Sequence, residues 1–246
     1  MNPHPILNQR TDKGHLWRDV LLMVTAQGQG GGGFWIDDGH WLRGQQVIVS
    51  PIMPEATTQA ILHPRNAILH SNAGPRKTPW ASLWAYIRRA DITGEPHFQV
   101  DGVDATSLTD AFIIQGIPLN RRADCNAKAN SWWRNGKRVG AVSFESQDRG
   151  SPSLPTTPWS VGQVHCIIGA LTAICVVYGV ACTAPTSWDD TGIGYHSQFK
   201  EWSIYVGKTC PGASRIRQMD YIRGQVAHNL IAFAAETGWK CGQGAA

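Results

Sequence analysis

Apolar and polar positions recur with two periods along this chain, and the switches between them mark its elements. Residues 16–24 read as one short helix or strand, followed by a glycine joint at Gly28, Gly30, Gly31, Gly32 and Gly33 and a strand over 34–36. From residue 46 the pattern becomes regular. Strands are expected over 47–50 and 67–70, with a turn or short helix over 55–61 between them. Thr78 and Pro79 open a helix, a capping hydroxyl followed by proline at the first helical position. Its apolar face is Leu83, Trp84 and Ile87, and it ends near Ala90. Residues 97–100 and 112–119 read as strands, with an acidic turn at 101–104 after the first. Residues 138–147 read as another strand, which carries Glu145.

The next segment is unusual, because residues 150–188 contain no Asp, Glu, Lys or Arg. Its run 164–182 is close to the length of a membrane span. Gly162, Gln163, His165, Gly169, Thr172 and Gly179 dilute the run, no basic flank marks a cytoplasmic side, and Thr157-Pro158 caps it like a soluble helix. Val161, Val164, Ile168, Leu171 and Cys175 recur at helical spacing, so a buried core helix is expected and no membrane span. A last amphipathic helix covers 214–235, with Ile216, Met219, Ile222, Val226, Leu230 and Phe233 on one face and Gly238 as its stop. Strands interleaved with helices over this length define an α/β layered domain around one sheet.

Composition changes this picture little. The chain has 246 residues, enough for one sizeable domain with an extension, so residues 1–45 are read as a glycine-containing N-terminal extension, 46–240 as the main domain and 241–246 as a tail. The formal charge of +4 is spread over scattered Lys and Arg, which argues against a nucleic-acid partner. The six cysteines are irregularly spaced, and Cys166, Cys175 and Cys182 fall in or beside the apolar segment, where buried free thiols are the default. The apolar run 20–26 follows Arg18 and Asp19 and is too short for a secretory signal, so synthesis in a reducing cytoplasm is expected. Gly28, Gly30 and Gly33 satisfy G-x-G-x-x-G, but a strand follows and no helix opens there, so a linker is expected rather than a dinucleotide site.

The chemistry concentrates in residues 194–212, GYHSQFKEWSIYVGKTCPG, which hold His196, Trp202, Lys208 and Cys210. Imidazole and thiolate are zinc ligands, and a zinc site needs more than two of them. His70, where the strand 67–70 runs into a Ser-Asn-Ala-Gly loop, supplies the third. Two imidazoles and one thiolate leave a fourth position open to water, the mark of a catalytic site. Lys208 lies two residues before Cys210, so in an extended segment both side chains point the same way and its ammonium suits an oxyanion.

His70, His196 and the Lys208-Thr209-Cys210-Pro211-Gly212 run resemble the zinc amidases of the peptidoglycan recognition protein and type 2 N-acetylmuramoyl-L-alanine amidase superfamily. The wording HSNAG, ADCNAKAN, GAVSFESQD, TPWS and GYHSQF…GKTCPG is similar to amidase domains of endolysins from phages of actinobacteria, over roughly residues 47–230. The resemblance implies a mixed β-sheet flanked by helices, Zn2+ on His70, His196 and Cys210, and peptidoglycan as substrate. It also implies Glu145 as general base and a site of action at the cell wall after release from the host cytoplasm. His97 falls beside a position where some members carry a catalytic tyrosine, which is lost here because Pro96 precedes it. Asn72, His97 and Trp202 are the candidate substrate contacts. Two other readings stay open: a cysteine peptidase built on Cys210 or Cys125, and a non-catalytic muropeptide-binding module of the same fold.

Overall fold

The computed structural model describes residues 2, 5–25, 33–52, 63–72, 80–87, 89, 94–148, 157–205, 207 and 209–240. Among them the strands are β1 (Trp35–Ile36), β2 (Leu42–Arg43), β3 (Val47–Val49), β4 (His63–Leu69), β5 (Phe98–Val100), β6 (Ile113–Gln115), β7 (Trp132–Arg134), β8 (Lys137–Ser146) and β9 (Gly192–Tyr195). The α-helices are α1 (Trp17–Thr25), α2 (Trp80–Ile87), α3 (Val161–Tyr178), α4 (Ala213–Ile216) and α5 (Met219–Thr237). β1 and β2 pair as a small antiparallel ribbon. The other strands form one mixed sheet in the order β3-β6-β5-β8-β4-β9, with β7 pairing antiparallel to the start of β8. A mixed sheet flanked by helices is therefore the fold, as expected.

Side-chain alternation along the central strands sorts the two faces. Ala67, Leu69, Val142 and Phe144 enter the main core under α3, α5 and α1, whereas Ile68 and Ala141 face a second cluster with Ala129 and Trp202. Trp202 fits because Gly194 on β9 has no side chain: a Cβ there would overlap the indole. A third cluster packs Trp84 and Ile87 of α2 against Ile114 and Ile117.

α3 is the buried core helix expected. It is buried almost all round, with only Val161 strongly exposed, because it is sandwiched between the sheet, α1 and α5. This explains its uncharged sequence: it is apolar enough to cross a membrane, but 83% of it lies buried inside the protein. Its cap is Ser160, not Thr157. The Ser160 hydroxyl accepts from the Gln163 N–H while the Gln163 side chain accepts from the Ser160 N–H, a reciprocal capping box. The last helix is likewise divided, α4 ending at Ile216 and α5 starting at Met219.

The expected boundary at residue 45 is not a boundary in the core. Leu7, Trp17, Val20, Leu21, Val24, Phe34, Ile36 and Leu42 are buried in the same cluster as α3 and α5. α1 lays its apolar face on those helices, with Trp17 edge-on to Phe233 at 5.6 Å between ring centres. The glycines 28 and 30–32, the element expected over 55–61, the Thr78-Pro79 opening of α2 and the tail 241–246 lie outside the described residues. Leu21→Ala is expected to destabilise the whole domain by about 2–5 kcal/mol, through lost burial and a cavity. Urea unfolding should show one transition with an earlier midpoint and unchanged slope; an unchanged midpoint would put α1 outside the cooperative core.

Candidate metal centre

Three strands running in the same direction end at one place. β4 pairs parallel with both β8 and β9, with Leu69 opposite Phe144 on one side and Tyr195 on the other. The next residue after Leu69 is His70, and the next after Tyr195 is His196, so the two imidazoles leave the sheet side by side with ring centres 4.2 Å apart. Glu145 follows Phe144 on β8 and stands beside them, its Oε1 3.5 Å from His70 Nδ1. The segment leading to α4 then returns Cys210 to the same point. The Ser197 N–H donates to the Cys210 carbonyl at 2.9 Å, stitching the two donor segments together. One donor atom from each of His70, His196 and Cys210 lies within 4.8 Å of the other two.

The proton on His70 is placed by a neighbour. Nε2 lies 2.7 Å from the Oδ1 of Asn126. An amide oxygen only accepts, so Nε2 carries the hydrogen and Nδ1 keeps its lone pair. That lone pair lies on the side of the Glu145 carboxylate. Asn126 is completely buried and is itself fixed by its turn, its N–H donating to Asn130 Oδ1 at 2.6 Å. Outer partners of this kind orient metal-binding histidines.

Cys210 sits in matching surroundings. The Ser71 N–H points at its sulfur, 3.3 Å away, which favours a thiolate. The guanidinium of Arg215, five residues on, is fully buried nearby. Burial lowers its pKa to about 10, against the opposing pull of Asp148, Cys210 and Glu145, so it stays a cation at neutral pH. Two buried nitrogens, one half-buried sulfur and neighbours that favour the metal-binding forms of His70 and Cys210 fit a zinc ion.

No family model matches the chain, and no curated protein matches it. Among solved structures it is similar to the endolysin N-acetylmuramoyl-L-alanine amidase LysCS from Clostridium intestinale URNW, at 13% identity over 74% of this chain and 96% of that one, with a TM-score of 0.46. It is similar to the catalytic domain of XlyA at 17% identity, over 73% and 98% of the two chains with a TM-score of 0.46. A selenomethionine derivative of AmpD gives 16%, 75% and 97% with a TM-score of 0.45. At these identities and scores the likeness carries no functional argument, and the chemistry has to be read from the site.

The other residues singled out in the sequence fall differently. Asn72 is half-buried two residues past His70, its amide donating to Gln99 Oε1 at 3.0 Å. Trp202 is fully buried, its ring nitrogen donating to the Trp188 carbonyl at 2.8 Å, so it packs the wall beneath the site. Lys208 lies outside the described residues. The Cys125 thiol donates to the Gly94 carbonyl at 2.6 Å. Burial, then Glu145 and Glu95, push its pKa well above the usual thiol range, which leaves a neutral thiol and no nucleophile. Asn126 and Arg215 were missed as site residues: a buried amide and a buried guanidinium have no periodic signature, and only ADCNAKAN hinted at the first.

His97 is buried as Trp202 is. It has no exposed surface; its Nδ1 accepts from the Ser143 N–H at 3.2 Å and its Nε2–H donates to the Arg121 carbonyl at 2.9 Å. Burial, partly opposed by the Arg121 bond, pushes its pKa down to about 4. The unfolded chain takes up this proton near 6.5 and the folded one does not until about 4. The neutral ring's contribution is therefore complete above that window and lost as pH falls through it, by about 3 kcal/mol. Stability curves of His97→Gln measured from pH 7 to 4 should lack that component; a slope equal to the wild type would refute the assignment.

Proposed function

We propose that this chain is a zinc-dependent N-acetylmuramoyl-L-alanine amidase, a peptidoglycan hydrolase acting as a phage endolysin or a lysis-related homologue. The observation that carries the reading is the convergence of His70, His196 and Cys210 beside the Glu145 carboxylate, at the carboxyl ends of parallel strands. The resemblance of the HSNAG and GKTCPG segments supplies the substrate: the amide between the lactyl group of N-acetylmuramic acid and L-alanine.

His70, His196 and Cys210 would hold the ion. When bound, zinc lowers the pKa of a water to about 7 and polarises a carbonyl. Asn126 keeps the His70 proton on Nε2, so the ligating lone pair is that of Nδ1. Glu145 is 19% exposed at its side chain and so reachable from solvent. It takes a proton from the attacking water as the oxygen–carbon bond forms, and passes it to the leaving nitrogen as the carbon–nitrogen bond breaks. Lys208 would face the developing oxyanion. Cys210 would be a ligand and not a nucleophile, since a cysteine peptidase would leave His70 and Lys208 without a role.

Purified protein should carry one zinc per chain and, on peptidoglycan, release new L-alanine amino termini with no new reducing sugars. Zinc without cleavage would favour a muropeptide-binding module, and no zinc would overturn the reading. His70→Ala should lose the metal. Glu145→Gln should keep it while turnover falls by about 10²–10⁴-fold; normal turnover would remove Glu145 from the mechanism. Since ligation needs deprotonated donors, metal affinity should fall as pH is lowered, as followed by competition with a chelator.

A further inference from the structure

A guanidinium with no exposed surface is costly to bury unless its N–H groups are all met, and where a buried charge serves stability alone apolar packing does as well. The bonds of Arg215 run to one place, the chain segment immediately after Glu145 and the residues that close over it. Nη1 donates to Ser146 Oγ at 2.8 Å, Nη2 to the Gln147 carbonyl at 2.8 Å, and Nε to the Thr157 carbonyl at 2.9 Å, while the Asp148 carboxylate lies 3.6 Å away. The indole of Trp159 covers the cation at 5.5 Å and donates its ring N–H to the same Ser146 Oγ at 2.8 Å.

Two paths lead from this hub to the donors. With both lone pairs of Ser146 Oγ taken by Arg215 and Trp159, its proton points the one way left, to the His70 carbonyl at 2.5 Å. Asp148 accepts the Ser71 hydroxyl at 3.0 Å on one oxygen and the Thr157 hydroxyl at 3.0 Å on the other. Ser71 is the residue whose N–H meets the Cys210 sulfur. We propose that Arg215 is a positioning residue that sets two metal donors at once, the His70 backbone through Ser146 and the Cys210 sulfur through Asp148 and Ser71. The inference rests on the metal reading above.

The test compares the full chain with Arg215→Lys, Asp148→Asn and Ser71→Ala, titrating Zn2+ against a chromophoric chelator and recording the thiolate-to-metal absorption of the Co2+-loaded proteins. Arg215→Lys keeps the charge but loses the fork, so it and Asp148→Asn should weaken zinc binding by about 10–100-fold and shift the cobalt band. Ser71→Ala should act in the same direction by less. A purely structural arginine would lower the melting temperature of the metal-free protein while leaving the affinity and the band of the folded fraction unmoved, and that outcome overturns the proposal. Should Arg215→Lys not fold, wild-type affinity in both other variants overturns it equally. A wild-type chain that takes up neither metal overturns the metal reading itself.

Discussion

Parallel pairing of β4 with β8 on one side and β9 on the other is the constraint on which the rest of the molecule depends. Register in a parallel pair is set by evenly spaced hydrogen bonds, and a slip of one residue would turn every side chain to the other face. Here Leu69, Phe144 and Tyr195 share one level, and the next residue of each strand is His70, Glu145 and His196. The register is held by burial on both faces: Leu69 and Phe144 enter the main core, while Ile68 packs on Trp202 beneath the other. Core packing and site geometry are thus one arrangement, and the usual place for chemistry in such sheets, beyond the carboxyl ends of the strands, follows from it.

Around that level the protein spends buried polar groups with unusual density. Asn126, Ser146, Asp148 and Arg215 are all buried, and each has its hydrogen bonds directed at a donor residue or at the segment beside it. Polar groups without exposure are costly unless bonded, so each bond made here narrows the geometry. The helices behind the sheet are the opposite in character. α3 and its partners α1 and α5 bring mainly apolar surface, and they form the backing of the sheet.

Much of the sheet could be read from the chain, and for a physical reason. The strand leading to His70 ends in the continuous apolar run Ala67-Ile68-Leu69, the strand carrying Glu145 is rich in apolar residues, and the uncharged stretch containing α3 has too many apolar side chains to be anything but buried or in a membrane. The short strands were not legible. β7 and β9 have three and four residues, and β9 reads Gly-Ile-Gly-Tyr, whose glycines carry no strand preference, though Gly194 is needed where Trp202 lies against the backbone. The first segment misled for a related reason. Its glycine run suggested a joint, although α1 on one side and Phe34 on the other are buried in the same core.

The sequence by itself determined which donors exist. His70, His196, Cys210 and Glu145 stand out because imidazole, thiolate and carboxylate are rare among apolar neighbours, and ligand chemistry depends on residue type alone. Only the tertiary structure decided which of the remaining polar residues serve them. His97 and Trp202 looked like contacts and are packed away, each with a ring nitrogen bonded to a backbone carbonyl, while Asn126 and Arg215 looked ordinary and bond to His70 and to Ser146 beside it. The difference is burial and direction. A side chain's partners lie 50 to 70 residues away in the chain, and no local pattern encodes which way it will point.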